Sequence, residues 1–280
     1  MPIQDIKAID VHAHVGSYTD DKFLLTNEFM SGNADIVHMR AQMANTQLSI
    51  VSPLKAFLPR YKGDPITANE EIARVMKQFE SLYYWAVIDP TKPKTYAQAA
   101  AMLKQAKCLG IKIHPEEHGY LITEYGRKIF EFVAEQNAAI LTHSGEKNSL
   151  PGDFVKFAND FQTVKVILAH LGCGWDDDPT HQVKAIQKSK YGNMFVDTSS
   201  AKSIMPGIIE WAVREVGADR ILYGSDSPLY FAPMQRARID FANIKESEKQ
   251  QILRDNAIIL FGLEDVLNLH MKGKGNECRY

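Results

Sequence analysis

The chain has 280 residues, 45% of them hydrophobic, with a formal net charge of −2. That is enough apolar material for a large core, and the near-neutral balance leaves no basic footprint for nucleic acid or an anionic membrane surface. No apolar run approaches the ~20 residues that span a bilayer, and the N-terminus lacks the basic start and apolar segment of a secretory signal. The cysteines Cys108, Cys173 and Cys278 are scattered and odd in number. This fits a reduced, cytoplasmic protein better than a disulfide framework.

In chain order, apolar β-branched runs recur at residues 6–12, 47–53, 82–89, 110–114, 138–143, 164–170, 193–198 and 220–226. Segments of helical periodicity lie between them, among them 68–79, 96–108, 125–136, 153–161 and 204–216. Near-continuous apolar strands alternating with amphipathic helices predict a parallel sheet covered on both faces. Eight such units in 280 residues average 35 each, which matches a single-domain (β/α)8 TIM barrel. The expected boundaries are a barrel over 1–270 and a polar tail over 271–280. An open doubly wound sheet is the alternative. Such folds usually carry a Gly-rich phosphate loop after the first strand, where this chain reads His12-Ala13-His14-Val15-Gly16. Long mixed segments follow the first strand, at 17–35, and the second, at 54–67. Barrel loops of this kind hold lids and substrate contacts.

The first strand runs into Asp10-Val11-His12-Ala13-His14. Alternation along a strand predicts Asp10, His12 and His14 on one face. Two imidazoles spaced this way can close on one metal ion, with Asp10 orienting one of them. His114, His143, His170 and Asp226 each end a predicted strand, and so do Asp89 and Asp197. Parallel strands of a barrel all end on the rim that carries the active site, so these residues are expected to converge. Five of the nine histidines fall at such ends. His38, His118, His181 and His270 fall in helices or loops and receive no role.

Taken together, His12-x-His14, Thr142-His143-Ser144-Gly145, Ala169-His170-Leu171-Gly172 and Tyr223-Gly224-Ser225-Asp226-Ser227-Pro228 resemble the amidohydrolase superfamily. More narrowly, they resemble its amidohydrolase 2 branch of metal-dependent hydrolases and decarboxylases. Ala86-Val87-Ile88-Asp89-Pro90, Gly110-Ile111-Lys112-Ile113-His114-Pro115 and Asp255-Asn256-Ala257 fit that branch too, so the resemblance covers essentially the whole chain. It implies that His12 and His14 hold a divalent metal ion from the first strand and His143 from the fifth. Asp226 is implied as a ligand, or as the carboxylate bound to the metal's water. His170 is implied as a second-metal ligand or a general acid/base. One ion is favoured over two, and zinc over manganese, iron or cobalt. Such an ion lowers the pKa of bound water from about 15.7 towards about 7, and a nearby carboxylate or imidazole then moves the proton. Binuclear members bridge their ions with a carboxylated lysine on the fourth strand. Lys112 lies on that strand, two residues before His114, and is expected to pair with a carboxylate; His114 would meet the substrate first.

Lys55 and Arg60 after the second strand, and Arg236 and Arg238 after the eighth, are candidates to hold a substrate carboxylate, or else are surface charges. Trp175 is a candidate pocket wall. Cys173 reads as a spectator thiol. Asp176-Asp177-Asp178 reads as the start of the sixth helix, where carboxylates favour the dipole. The leading expectation is a metal-dependent hydrolase of a small-molecule amide, lactone or other ester. The alternatives are a non-oxidative decarboxylase of a small carboxylic acid on the same metal site, and a non-catalytic relative that binds a metabolite. The intact ligand set argues against the last. His12 mildly favours hydrolysis, because some family decarboxylases carry Glu there, and decarboxylases tend to be longer. The expected partner is a small-molecule substrate, with no nucleic acid or membrane; a homo-oligomer is left open.

Overall fold

Eight short strands pair in parallel in sequence order. They are β1 (Ala8–Val15), β2 (Thr46–Pro53), β3 (Leu82–Val87), β4 (Cys108–Ile113), β5 (Ala139–Thr142), β6 (Lys165–Leu168), β7 (Met194–Asp197) and β8 (Ile221–Leu222). The structure is a computed structural model that describes residues 5–19 and 23–267. Almost every strand residue is buried, because the strands face side chains on both sides of the sheet. Backbone hydrogen bonds bring the eighth unit against the first: Val11 N–H donates to Tyr223 O at 2.9 Å and Asp226 N–H to His12 O at 2.7 Å. The result is the predicted (β/α)8 barrel.

The helices between strands are α1 (Leu24–Phe29), α2 (Ala34–Met43), α3 (Pro65–Val75), α4 (Lys94–Met102), α5 (Pro115–His118), α6 (Ile122–Glu135), α7 (Pro151–Asp160), α8 (His181–Gln187) and α9 (Ile208–Val216). After β8 come α10 (Ala232–Asp240), α11 (Glu246–Gln250) and α12 (Asn256–Phe261). Helix α6 shows how they dock. Ile122, Gly126, Ile129, Phe130 and Val133 recur at helical spacing and are the buried ones. A Cβ at Gly126 would lie 2.3 Å from the Phe157 ring, so glycine is what lets α6 and α7 approach this closely. No helix of the described residues is long and apolar enough to cross a membrane. His270, Cys278 and the expected tail lie outside the described residues.

Two apolar layers result. Ile9, Val11, Leu48, Ile50, Trp85, Leu141, Ile167 and Leu222 fill the barrel, joined by Ala257, Leu263 and Leu267 from the C-terminal end. Ala8, Ala13, Val51, Ile111, Ile113 and Ile221 belong to the outer layer against the helices. Strand β1 departs from the expected alternation. Its pairing with β2 shifts register between Asp10 and Ala13, a bulge. Ile9 and Val11 face the interior, so Asp10 between them is on the outer side, while His12 and His14 enter the cavity. The three polar residues therefore do not share one face, because an extra residue at the bulge re-aims the strand.

Candidate metal and active site

The C-terminal ends of the strands open onto a cavity of about 200 Å³. Its lining includes the buried polar residues His12, His14, Lys112, His170 and Asp226, and Leu54, Phe57, Leu58 and Leu229 supply apolar wall. His114 and His143 follow β4 and β5 directly, while His170 and Asp226 lie two and four residues past their strands. These last two leave the ladder with positive φ values of 73° and 55°. A non-glycine residue there costs about 1–3 kcal/mol and persists only when its surroundings fix it. For His170 the fixing partner is Asp197, whose Oδ1 accepts its backbone N–H at 3.0 Å.

The β1 and β8 side is built around two oriented imidazoles. His12 Nδ1 lies 2.9 Å from Asp197 Oδ2, and His14 Nδ1 lies 3.1 Å from Ser52 Oγ. With Nδ1–H donating to those oxygens, each ring turns an Nε2 lone pair towards Asp226. Asp226 Oδ1 sits 2.9 Å from His14 Nε2 and 3.6 Å from His12 Nε2. That oxygen is buried and has no aligned hydrogen-bond donor. Three lone-pair atoms converging on one buried point fit a cation, and a His₂Asp donor set suits a divalent metal. The ligand atoms of His12, His14 and Asp226 all lie within 4.8 Å of one another.

Burial pushes the Asp226 carboxyl up, but the neighbouring His14, His12 and His170 outweigh it and hold it below the usual carboxylate range. His12 is pushed far below its ordinary value, first by burial and then by the Lys112 charge. Burial likewise lowers His170 to about 4, against the pull of Asp226. At neutral pH His12 and His170 are therefore neutral, available as donors to a metal or acceptors of a proton.

His12, His170 and Asp197 form a second group of close ligand atoms. Here the carboxylate is already engaged. Asp197 receives His12 Nδ1 and the backbone N–H of His170 and Ser199, together with a short bond from the Ser199 hydroxyl. The Ser199 hydroxyl also touches Nδ1 of His12 and of His170, each at 2.9 Å. This group orients the two rings. Asp197 was visible in the sequence as a strand end but without a role, and Ser199 carried no signal.

Among the described residues Lys112 has no carboxylate within ion-pair distance. Its buried amino group donates to His12 Nε2 at 3.0 Å, on the lone pair that an ion held by His12 would take over. Burial lowers its pKa to about 8, and Asp197 and Asp226 hold it from falling further. Asp226, the nearby carboxylate, sits instead against His14 Nε2 at 2.9 Å.

The β4 and β5 side is organised differently. His143 Nε2 lies 2.6 Å from Glu146 Oε2, and its Nδ1 is 3.1 Å from His170 Nε2. His114 stacks on His143 with centroids 4.2 Å apart and accepts the Glu117 backbone N–H on Nδ1. His143 therefore stands outside both groups of converging ligand atoms. Glu146, which lines the cavity, was missed, although it follows His143 by three residues.

Other candidates fall away from the cavity. The chain after β2 makes a turn of 3-10 helix, Leu54–Ala56, which sends Leu54 and Phe57 inward and leaves Lys55 on the surface beside Glu71. Arg60 is also off the lining. It forms a two-point ion pair with Glu117, which does line the cavity. Trp175 is 55% exposed and stands against Lys147, so it walls nothing. Arg236 and Arg238 serve Asp240 and Glu210 among the helices. Cys173 does line the cavity.

The sequence pattern of the amidohydrolase family matches residues 9–263. The chain belongs to that amidohydrolase family. No curated protein sequence matches the chain. Among solved structures, the chain is similar to 5-carboxyvanillate decarboxylase from Sphingomonas paucimobilis. The TM-score is 0.70 at 15% identity, over 92% of this chain and 99% of the other. A dihydroxybenzoic acid decarboxylase from a Polaromonas species, with bound manganese and the inhibitor 2-nitroresorcinol, gives 0.71 at 15% identity over 94% and 99%. A structure named amidohydrolase II gives 0.66 at 18% identity over 91% and 100%. At these identities the likeness is one of fold.

Proposed function

We propose that this amidohydrolase is a metal-dependent enzyme that decarboxylates a small aromatic acid without oxidation. The observation that carries this reading is the mixed cavity: a cluster of imidazoles and one carboxylate that shares its lining with Leu54, Phe57, Leu58 and Leu229. That mixture suits a flat apolar ring carrying a polar group. Fold likeness to decarboxylases of aromatic acids, one of them with manganese, supports it. The matched region reaches 99% of both decarboxylase chains, so greater length counts little against the reaction.

In this reading His12, His14 and Asp226 hold a single divalent ion, and His143 is the further donor implied by the family. Zinc, manganese, iron and cobalt all accept such a set. When bound, the ion supplies positive charge that binds and polarises substrate oxygens. The chain's own residues do the rest. Loss of CO2 leaves an electron pair on the ring carbon, and that carbon takes up a proton. His170 is the group placed to relay it: neutral and buried beside Ser199 and His143, it takes up a proton from water and, as the imidazolium, passes that proton to the carbon. Asp226, held ionised, keeps the histidines and the ion together. The cytoplasmic setting belongs to this reading through the unpaired Cys108 and Cys173.

Hydrolysis of an amide, lactone or other ester is the second reading. Asp226 favours it, because a carboxylate at this point can accept a hydrogen bond from the attacking water. A metal-replete preparation offered hydroxybenzoates, small amides and lactones separates the two. Release of CO2 from a hydroxybenzoate supports decarboxylation. Turnover confined to amides or lactones overturns it in favour of hydrolysis.

A further inference from the structure

The eighth strand is only Ile221–Leu222, and it forms no ladder with β1. Asp226, which faces His12 and His14, therefore hangs on a loop that must be fixed by something other than a strand. Backbone contacts supply part of this: Asp226 N–H donates to His12 O at 2.7 Å and His14 N–H to Ser227 O at 2.6 Å. The rest comes from one side chain behind the wall. Asp10 Oδ2 accepts the Ser225 hydroxyl at 2.5 Å, and its Oδ1 accepts Ser225 N–H at 3.0 Å and His12 N–H at 3.1 Å. The Ser225 oxygen in turn accepts Ser227 N–H at 3.1 Å. One carboxylate, 215 residues from Ser225 in sequence, thus ties the backbone of His12 to the residue before Asp226.

We infer that Asp10 and Ser225 form a latch on the outer side of the barrel wall that positions Asp226 against His12 and His14. The bulge in β1 is what gives the latch its place. It turns Asp10 away from the cavity while His12 enters it, so Asp10 acts through Ser225 and touches neither substrate nor ion. Asp10 and Ser225 are both buried, and Asp10 has no cationic side chain within ion-pair distance among the described residues. It serves as a directed set of acceptors. The strained backbone of Asp226, with φ of 55°, is the kind of conformation that needs its neighbours fixed.

This inference rests on the metal reading above, and its test is independent of turnover. Metal-free wild type, Asp10→Ala, Asp10→Asn and Ser225→Ala are titrated with cobalt(II), following affinity and the visible spectrum, with the Tm of each metal-free protein measured alongside. Asp10→Ala and Ser225→Ala are expected to weaken cobalt binding about 10–100-fold, the scale for partners of metal ligands, and to change the spectrum. Asp10→Asn keeps an acceptor for both N–H groups and can donate to the Ser225 hydroxyl, so it is expected to bind as wild type does. A lowered Tm with wild-type affinity and spectrum in Ser225→Ala overturns the latch, and that variant decides if Asp10→Ala does not fold. A wild type that takes up no cobalt overturns the metal reading and the latch with it.

Discussion

The two sides of the cavity differ in how their histidines are held. On the β1 and β8 side, His12 and His14 each have Nδ1 committed to an oxygen that belongs to the barrel wall, Asp197 or Ser52, and each Nε2 faces Asp226. On the β4 and β5 side, His143 has both nitrogens engaged by groups that can exchange them, His170 and the partly exposed Glu146. A donor atom fixed by a buried partner loses little freedom on binding an ion, so the first side suits a cation. A ring whose partners are exchangeable is free to give them up, so His143 can act as the further donor to the ion or pass on a proton. The same residue type thus serves two tasks, decided by what holds the second nitrogen.

The sharpest way to break this comparison is to remove the fixed pair. His12→Ala combined with His14→Ala should abolish metal uptake and turnover while circular dichroism still reports a folded barrel. Stoichiometric metal in that variant, measured by elemental analysis, would move the ion to the other side. A next effect separates holding from proton transfer. His170→Asn should keep one equivalent of metal and lose roughly 10²–10⁴-fold in turnover, the scale for removing a general acid/base. A fall from two equivalents to one would make the site binuclear and His170 a ligand. Glu146→Gln should be milder, about 10-fold in turnover with metal content unchanged, since the amide oxygen still reaches His143. Loss of the ion in that variant would show that Glu146 is needed to hold His143 as the further metal donor. Smallest of all, Lys55→Ala should leave KM unchanged and shift stability by less than about 0.5 kcal/mol, because its pair with Glu71 is roughly half exposed. A raised KM would return Lys55 to the substrate site.

The local pattern of the chain determined the barrel. Apolar β-branched runs and amphipathic segments are set by neighbours a few residues apart, and all eight predicted strands formed. It also determined that His12, His14, His114, His143, His170 and Asp226 gather on one rim, because parallel strands must end together. Strand ends were overread: β8 stops at Leu222, and Asp226 is carried by the loop beyond it. What only the tertiary structure decided is which atom each of these residues meets. His12 and Asp197 are 185 residues apart, and Asp10 and Ser225 215 apart. No local signal specifies such pairs, since they follow from barrel closure and from a bulge whose effect is to turn Asp10 outward and His12 inward. The outward placement of Lys55, Arg60 and Trp175 has the same origin. Charge and ring type can be read along the chain, but the direction in which a loop points its side chains is set by the turn it makes against the finished barrel.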